Sequence, residues 1–325
     1  MLSDDMKNKS KEKIRKKIKK LLPKMLVEII EDDIPSGLNV QLIGPNLNIS
    51  EFLPLQDHAK EFKGNNDIKN TILELGLDNP LFRKIRGDGN CFFRVAAIQF
   101  IEKLLEDDIE LDKFSIAKSR VIIFLKELLN VKIKCNLETD NPKLEIALKD
   151  VDSLKYVLKK NISEILLEKF VLEIKHTSKK VAYRKLLDFF QEKINSISGF
   201  DIALVVFLRS WILQIYRDNL EVYKNFIYDN SAEGILKTFG LEAENVIIPI
   251  VADTLECTVT INMVHTDYKT KKTILLVEKY TGLLGKKANE DINLNMYFRP
   301  GHYECLYDRM FYKKYYKDIP GFEDL

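Results

Sequence analysis

The stretch Arg86-Gly87-Asp88-Gly89-Asn90-Cys91-Phe92-Phe93-Arg94 decides how this chain is read. After it, Ala97, Ile98, Ile101, Leu104 and Leu105 recur at helical spacing, so the spacing predicts a helix that begins close to Cys91. A thiol at a helix N-terminus lies at the positive end of the macrodipole, among backbone N–H groups with no intrahelical acceptor. Both effects favour the thiolate, which is the nucleophilic form of cysteine. Gly87 and Gly89 are expected to let the preceding loop turn tightly and to bring N–H groups near the sulfur, where they could hold an oxyanion. A lone cysteine among apolar residues can equally be a small buried hydrophobe, and Asp-Gly-Asn can be any turn. The residues alone leave both readings open.

Working outward, Asp112 to Phe226 is patterned almost entirely as helix. Examples are Ile116, Val121, Phe124, Leu125 and Leu128; Leu154, Val157, Leu158 and Ile162; and Leu204, Phe207, Leu208, Trp211, Ile212 and Ile215. After Glu244 the period changes. Val259, Ile261 and Met263 alternate with Thr258, Thr260 and Asn262 as in a strand, and Thr273–Val277 and Asn293–Phe298 read as two more. Arg299-Pro300-Gly301 makes a turn into a last strand, His302–Tyr307. Helices first and a small sheet late predict an α+β domain.

Asp-Gly-Asn-Cys-Phe-Phe-Arg opening a helix resembles the nucleophile motif of OTU-superfamily deubiquitinases. Asp201–Ile227 resembles the helical block that otubains place before their last strands, and Asn245–Met263 is similar to the helix and strand that follow it. Arg299-Pro300-Gly301-His302-Tyr303 matches the otubain histidine motif, so the resemblance runs in order from about His58 to Asp308. It implies a papain-like OTU cysteine protease fold, with a helical subdomain and a small, mainly antiparallel sheet. It also implies a ubiquitin-specific thiol hydrolase with Cys91 as nucleophile and His302 as base. Asp88 resembles the active-site aspartate of the family, with an expected role of accepting loop N–H bonds and shaping the oxyanion hole. Otubains usually carry Asp two residues after the histidine; here Glu304 stands there, one methylene longer, as the expected orienting acid. The alternative is a catalytically weak scaffold that binds ubiquitin or a ubiquitin-conjugating enzyme. Expected partners are ubiquitin, polyubiquitin chains and a conjugating enzyme.

His265, with Asp267 two residues on, is the rival base, since residues i and i+2 of a strand share a face. His58 falls in a short polar helix ahead of the core, and His176 in a Lys-rich helical stretch expected to face solvent. The other thiols are Cys135, Cys257 and Cys305; none of the four forms a C-x-x-C pair, which argues for a reducing compartment.

At 325 residues with 46% hydrophobic and 31% charged, the composition is that of a globular protein. Its 51 basic and 49 acidic side chains leave a net charge of +2, so no preference for nucleic acid is expected. No apolar run reaches the roughly 18–20 residues of a membrane helix. The expected location is cytoplasmic and also nuclear, and the expected state a monomer. No metal ligand spacing or phosphate loop is present, so no cofactor is expected. Residues 1–50 read as a basic extension and linker: Ile14, Ile18, Leu21, Leu22 and Met25 stripe a Lys-rich helix over Lys7–Met25, expected to be a solvated appendage. Residues 51–312 read as the catalytic domain and 313–325 as a tail.

Overall fold

The computed structural model describes residues 47–325, apart from 111–118, 132–138, 140–149, 176–177, 197–198, 227–230, 268, 271, 286–291 and 324. The basic helix expected over Lys7–Met25, together with Cys135 and His176, falls outside the described residues.

The predicted helix at Cys91 is α3, Cys91–Glu110, a 20-residue helix of the core. Before it come β1 (Leu53–Pro54), α1 (Leu55–Ala59), α2 (Asn66–Asp78) and β2 (Leu81–Arg83). After it, helices follow one another: α4 (Arg120–Asn130), α5 (Val151–Ile174), α6 (Lys179–Asn195), α7 (Phe200–Asp218), α8 (Leu220–Tyr223), α9 (Ser231–Lys237) and α10 (Ile247–Leu255). Ser119 and Ser178 cap α4 and α6 by accepting the N–H of Ile122 and Val181. Then come β3 (Thr258–Thr266), β4 (Thr273–Tyr280), β5 (Asn293–Arg299), β6 (His302–Tyr307) and α11 (Arg309–Tyr315).

The four late strands stand where their alternation predicts them, but the sheet is larger than the sequence suggests. It has six strands in the order β1-β2-β6-β5-β3-β4. The β3–β5 pairing is parallel and the rest are antiparallel. The two early strands have two and three residues, too short to show an alternation. β2 nevertheless borders β6, with Arg83 opposite Cys305.

One face of the sheet carries α3, which packs on β5 and β6 and is wrapped by α4, α6 and α7. This is the main core, and Cys91, Phe92, Val95 and Tyr303 belong to it. The other face carries α1 and α2 over a smaller core of Leu55, Ile72, Leu75, Phe82, Tyr297 and Leu306. A fully buried Arg83 ties the layers: it donates to Glu102 of α3 at 2.7 Å, to Gln191 of α6 at 2.8 Å and to the Ser50 carbonyl at 2.8 Å.

Both ends of the domain differ from the boundaries drawn from sequence. Ile49 is buried and bridges to Ile85, so packing begins before residue 51. Residues 313–325 are not a free tail. Tyr315 and Tyr316 are buried in the main core, and the Tyr312 hydroxyl donates to the Phe322 carbonyl at 2.8 Å. The aromatic spacing of Phe311, Tyr312, Tyr315 and Tyr316 on a helix accounts for this, since it gives α11 an apolar face to bury.

Candidate active site

Cys91 is the first residue of α3, and the first helical hydrogen bond runs from the Arg94 N–H to the Asn90 carbonyl at 2.9 Å. The thiol therefore sits at the open turn of a 20-residue helix, 2% exposed.

The loop before it is fixed from three directions. Gly89 has φ of +74°, and a Cβ there would lie 1.6 Å from the Gly240 carbonyl oxygen. Only glycine allows both the left-handed turn and that approach. Asn90 joins the same two loops with its side chain, whose oxygen accepts the Gly240 N–H and the Arg209 guanidinium, each at 3.1 Å. Asp88 caps the turn by accepting the Asn90 N–H at 3.1 Å, as expected, but its main partner is a side chain. Arg94 grips it with two bonds of 2.9 Å, and the same guanidinium holds Asp201 of α7 at 2.7 and 3.0 Å and the Arg86 carbonyl at 3.0 Å. Burial works against the Asp88 carboxylate, yet the hydrogen bonds and charge of Arg94 hold it below the usual carboxylate range. Asp88 is thus a fixed anion that braces the loop, one side chain removed from the thiol.

Gly87 does not fit the reason given for it from sequence. Its φ lies outside the left-handed region. A Cβ there would instead meet the His302 ring, 3.3 Å from Nδ1 and 3.4 Å from Cε1.

His302 opens β6, opposite Arg299 at the end of β5. Its Nε2 lies 3.3 Å from Glu304 Oε1, and Cys91 is close enough to raise the pKa of the ring. With Nε2 turned to the acid, Nδ1 is the nitrogen left for sulfur. Burial pushes the ring towards its neutral form, but the hydrogen bonds and negative charge of Cys91 and Glu304 outweigh it, and the pKa is pushed up to about 9. Glu304 is 1% exposed; its Oε2 accepts the Ile85 N–H at 3.0 Å and its Oε1 also accepts Arg299 Nη2 at 3.1 Å. The extra methylene is accommodated by this second anchor on the backbone beside β2.

The rival residues are placed elsewhere. His265 lies on β3, paired to Ile274 of β4, and Asp267 accepts the Lys269 and Thr270 N–H groups of its own turn. His58 is buried, not on a polar surface, with its ring against Phe62, Phe82 and Tyr297. Cys257 and Cys305 are buried, and burial pushes the Cys257 thiol up to about 12.

A cleft of about 420 Å³ opens onto Cys91, lined by Glu242, Glu244, Val246, Phe298, Gly301 and Tyr303. Glu242 and Glu244 are exposed and give its mouth a negative character.

The sequence profile of the peptidase C65 otubain family matches residues 43–308. The chain belongs to the otubain family. Its members are cysteine-type deubiquitinases, which agrees with the class implied by the two motifs. Among curated proteins, the ovarian tumor domain-containing deubiquitinating enzyme 1 of Arabidopsis thaliana is 22% identical over 271 residues, 79% of each chain. Among solved structures, ceOTUB1 in a ubiquitin aldehyde UBC13~Ub complex is 19% identical with a TM-score of 0.52, covering 81% of this chain and 94% of that one. The h/ceOTUB1–ubiquitin aldehyde–UBC13~Ub structure gives 16% and 0.49, over 81% and 91%. The papain-like OTU fold of this otubain is therefore the one that the ceOTUB1 match shows.

Several residues that build the site were not singled out by sequence. Arg94 and Asp201 stand 107 positions apart, and Asn90 and Arg209 stand 119 apart, so no local pattern links them. The available signal was charge inside apolar runs: Arg209 follows Val205-Val206-Phe207-Leu208, and a charge in such a run needs a buried partner.

Proposed function

We propose that this otubain hydrolyses isopeptide bonds after the C-terminal glycine of ubiquitin, with Cys91 as nucleophile, His302 as acid and base and Glu304 as the group that orients the imidazole. The observation that carries this reading is His302, 3.3 Å from Glu304 Oε1 and beside the Cys91 thiol at the open turn of α3. A ring with a pKa near 9 carries its proton at neutral pH, so it has one to give to a leaving group. The thiolate adds to the carbonyl carbon, and the N–H of Cys91 at the open turn of α3 is placed to donate to the oxyanion. His302 then gives its proton to the departing lysine amine, which leaves a thioester on Cys91. Water, deprotonated by His302, attacks the thioester and releases the ubiquitin carboxylate.

Polyubiquitin is the proposed substrate class and a ubiquitin-conjugating enzyme a proposed partner. In their support, ceOTUB1, which shares the fold, was solved with ubiquitin aldehyde and UBC13~Ub.

The test is a ubiquitin whose C-terminus carries an electrophile. The wild type should form a covalent adduct and cleave di-ubiquitin, and Cys91→Ala should do neither while remaining folded. Cys257→Ala and Cys305→Ala should keep both. A folded wild type that binds ubiquitin with no adduct and no cleavage would overturn the proposal.

A further inference from the structure

Arg299 ends β5 directly opposite His302, across the two-residue turn Pro300-Gly301, in which Gly301 has φ of +75°. Its Nη2 lies 3.1 Å from the carboxylate oxygen, Glu304 Oε1, that His302 Nε2 approaches at 3.3 Å. One oxygen thus serves a permanent cation and a titrating one. The other oxygen is held by the Ile85 N–H at 3.0 Å.

A glutamate has one more torsion than the aspartate usual in the family. Pinned at Oε2 alone, its carboxylate could still swing about that bond and leave the ring. The remaining groups near it offer no second restraint. Tyr297 stands opposite Glu304 on β5, Cys305 follows it on β6, and His58 of α1 is held towards its neutral form by burial. Among the described residues, the cationic groups within ion-pair distance of Glu304 are Arg299 and His302. The Arg299 side chain is 45% exposed and that of Glu304 is 1% exposed, so the arginine reaches inward from the surface to a buried acid.

We propose that Arg299 is a positioning residue that acts through Glu304, keeping the carboxylate turned towards His302. This rests on the proposed role of His302 as acid and base. Arg299 is not among the residues that line the cleft; it restricts a side chain whose extra length would otherwise blur the geometry.

The experiment measures di-ubiquitin cleavage against pH for wild type, Arg299→Ala, Arg299→Lys, Glu304→Gln and the Arg299→Ala/Glu304→Gln double variant. The His302 titration is followed by NMR in each free protein. If Arg299 positions Glu304, its loss lowers kcat about tenfold at an unchanged KM. It also moves the His302 titration and the basic limb of the rate profile down by about one unit, because the ring loses its anion. Arg299→Lys should recover part of both effects, and Arg299→Ala should add less than about twofold to Glu304→Gln, since effects through one shared partner are not additive. A titration that moves up would make Arg299 only a competing cation, and an unmoved one only a surface charge. Either result overturns the proposal, as does full additivity in the double variant. The NMR arm needs no substrate, so a wild type inert towards ubiquitin would defeat the proposed function and leave this link to be decided by titration.

Discussion

Gly87 leaves the space that the His302 ring takes: a methyl group on it would lie 3.3 Å from the ring nitrogen Nδ1, tighter than an ordinary contact. The other ring nitrogen is turned to Glu304, so the absence of a side chain at 87 helps set where the imidazole stands beside Cys91.

Gly87→Ala should therefore displace the imidazole by a few tenths of an ångström and lower kcat/KM with little change in thermal stability. A misplacement approaching 1 Å can cost about 10²-fold, and roughly tenfold is expected for this smaller shift. Thermal melting beside steady-state kinetics checks it; an equal loss in both would point to general damage.

Gly89→Ala should behave differently. Its Cβ would meet the Gly240 carbonyl oxygen at 1.6 Å, an overlap of backbone with backbone, and its φ of +74° is strained for any L side chain. The two loops must separate, so both adduct formation and melting temperature should fall together.

Rate against pH should show a basic limb near 9. His302 is raised above the ordinary histidine value of 6.5, so its charged form is retained through neutral pH and lost as pH rises through about 9. Any stability linked to it has the same sign: fully present below 6.5 and gone above 9. Glu304→Gln leaves one oxygen for an acceptor job that two now share, and the limb should move to lower pH as kcat drops. An unmoved limb would remove Glu304 from the mechanism.

Asp201→Ala should destabilise the protein by about 3–5 kcal/mol, the usual consequence of breaking a buried charge pair, at the low end because Arg94 keeps Asp88 as a partner. Urea unfolding measures it. Asp88→Asn should cost less stability and more activity, since it loosens the loop in front of the thiol. The depressed Asp88 pKa gives a stabilising contribution present above pH 3.8 that is lost as pH falls through its lower folded value, so wild type and Asp88→Asn should converge in acid.

What sequence revealed, and what it hid, follows from the range of the forces involved. The helix at Cys91 and the four late strands were legible because periodicity is local. Cys91, His302 and Glu304 could be singled out because two motifs carry them. The short strand Leu81–Arg83 was not, because three residues have no period and its place is set by β6. The braces on the loop were hidden for the same reason. Arg94 with Asp201, and Asn90 with Arg209, are distant pairs whose chemistry appears only once α3 and α7 are side by side.

The bond from the Ile85 N–H to Glu304 spans 219 positions of sequence. Closing a loop of that length is entropically costly before any contact rewards it, and such distant pairings tend to form late. Glu304 can be seated only when β6 inserts between β2 and β5, near the end of the chain. A ribosome-bound chain that has emerged through α10 thus carries its thiol and its apolar helices but no base. The nucleophile and its imidazole partner therefore meet only when the last strands are in place.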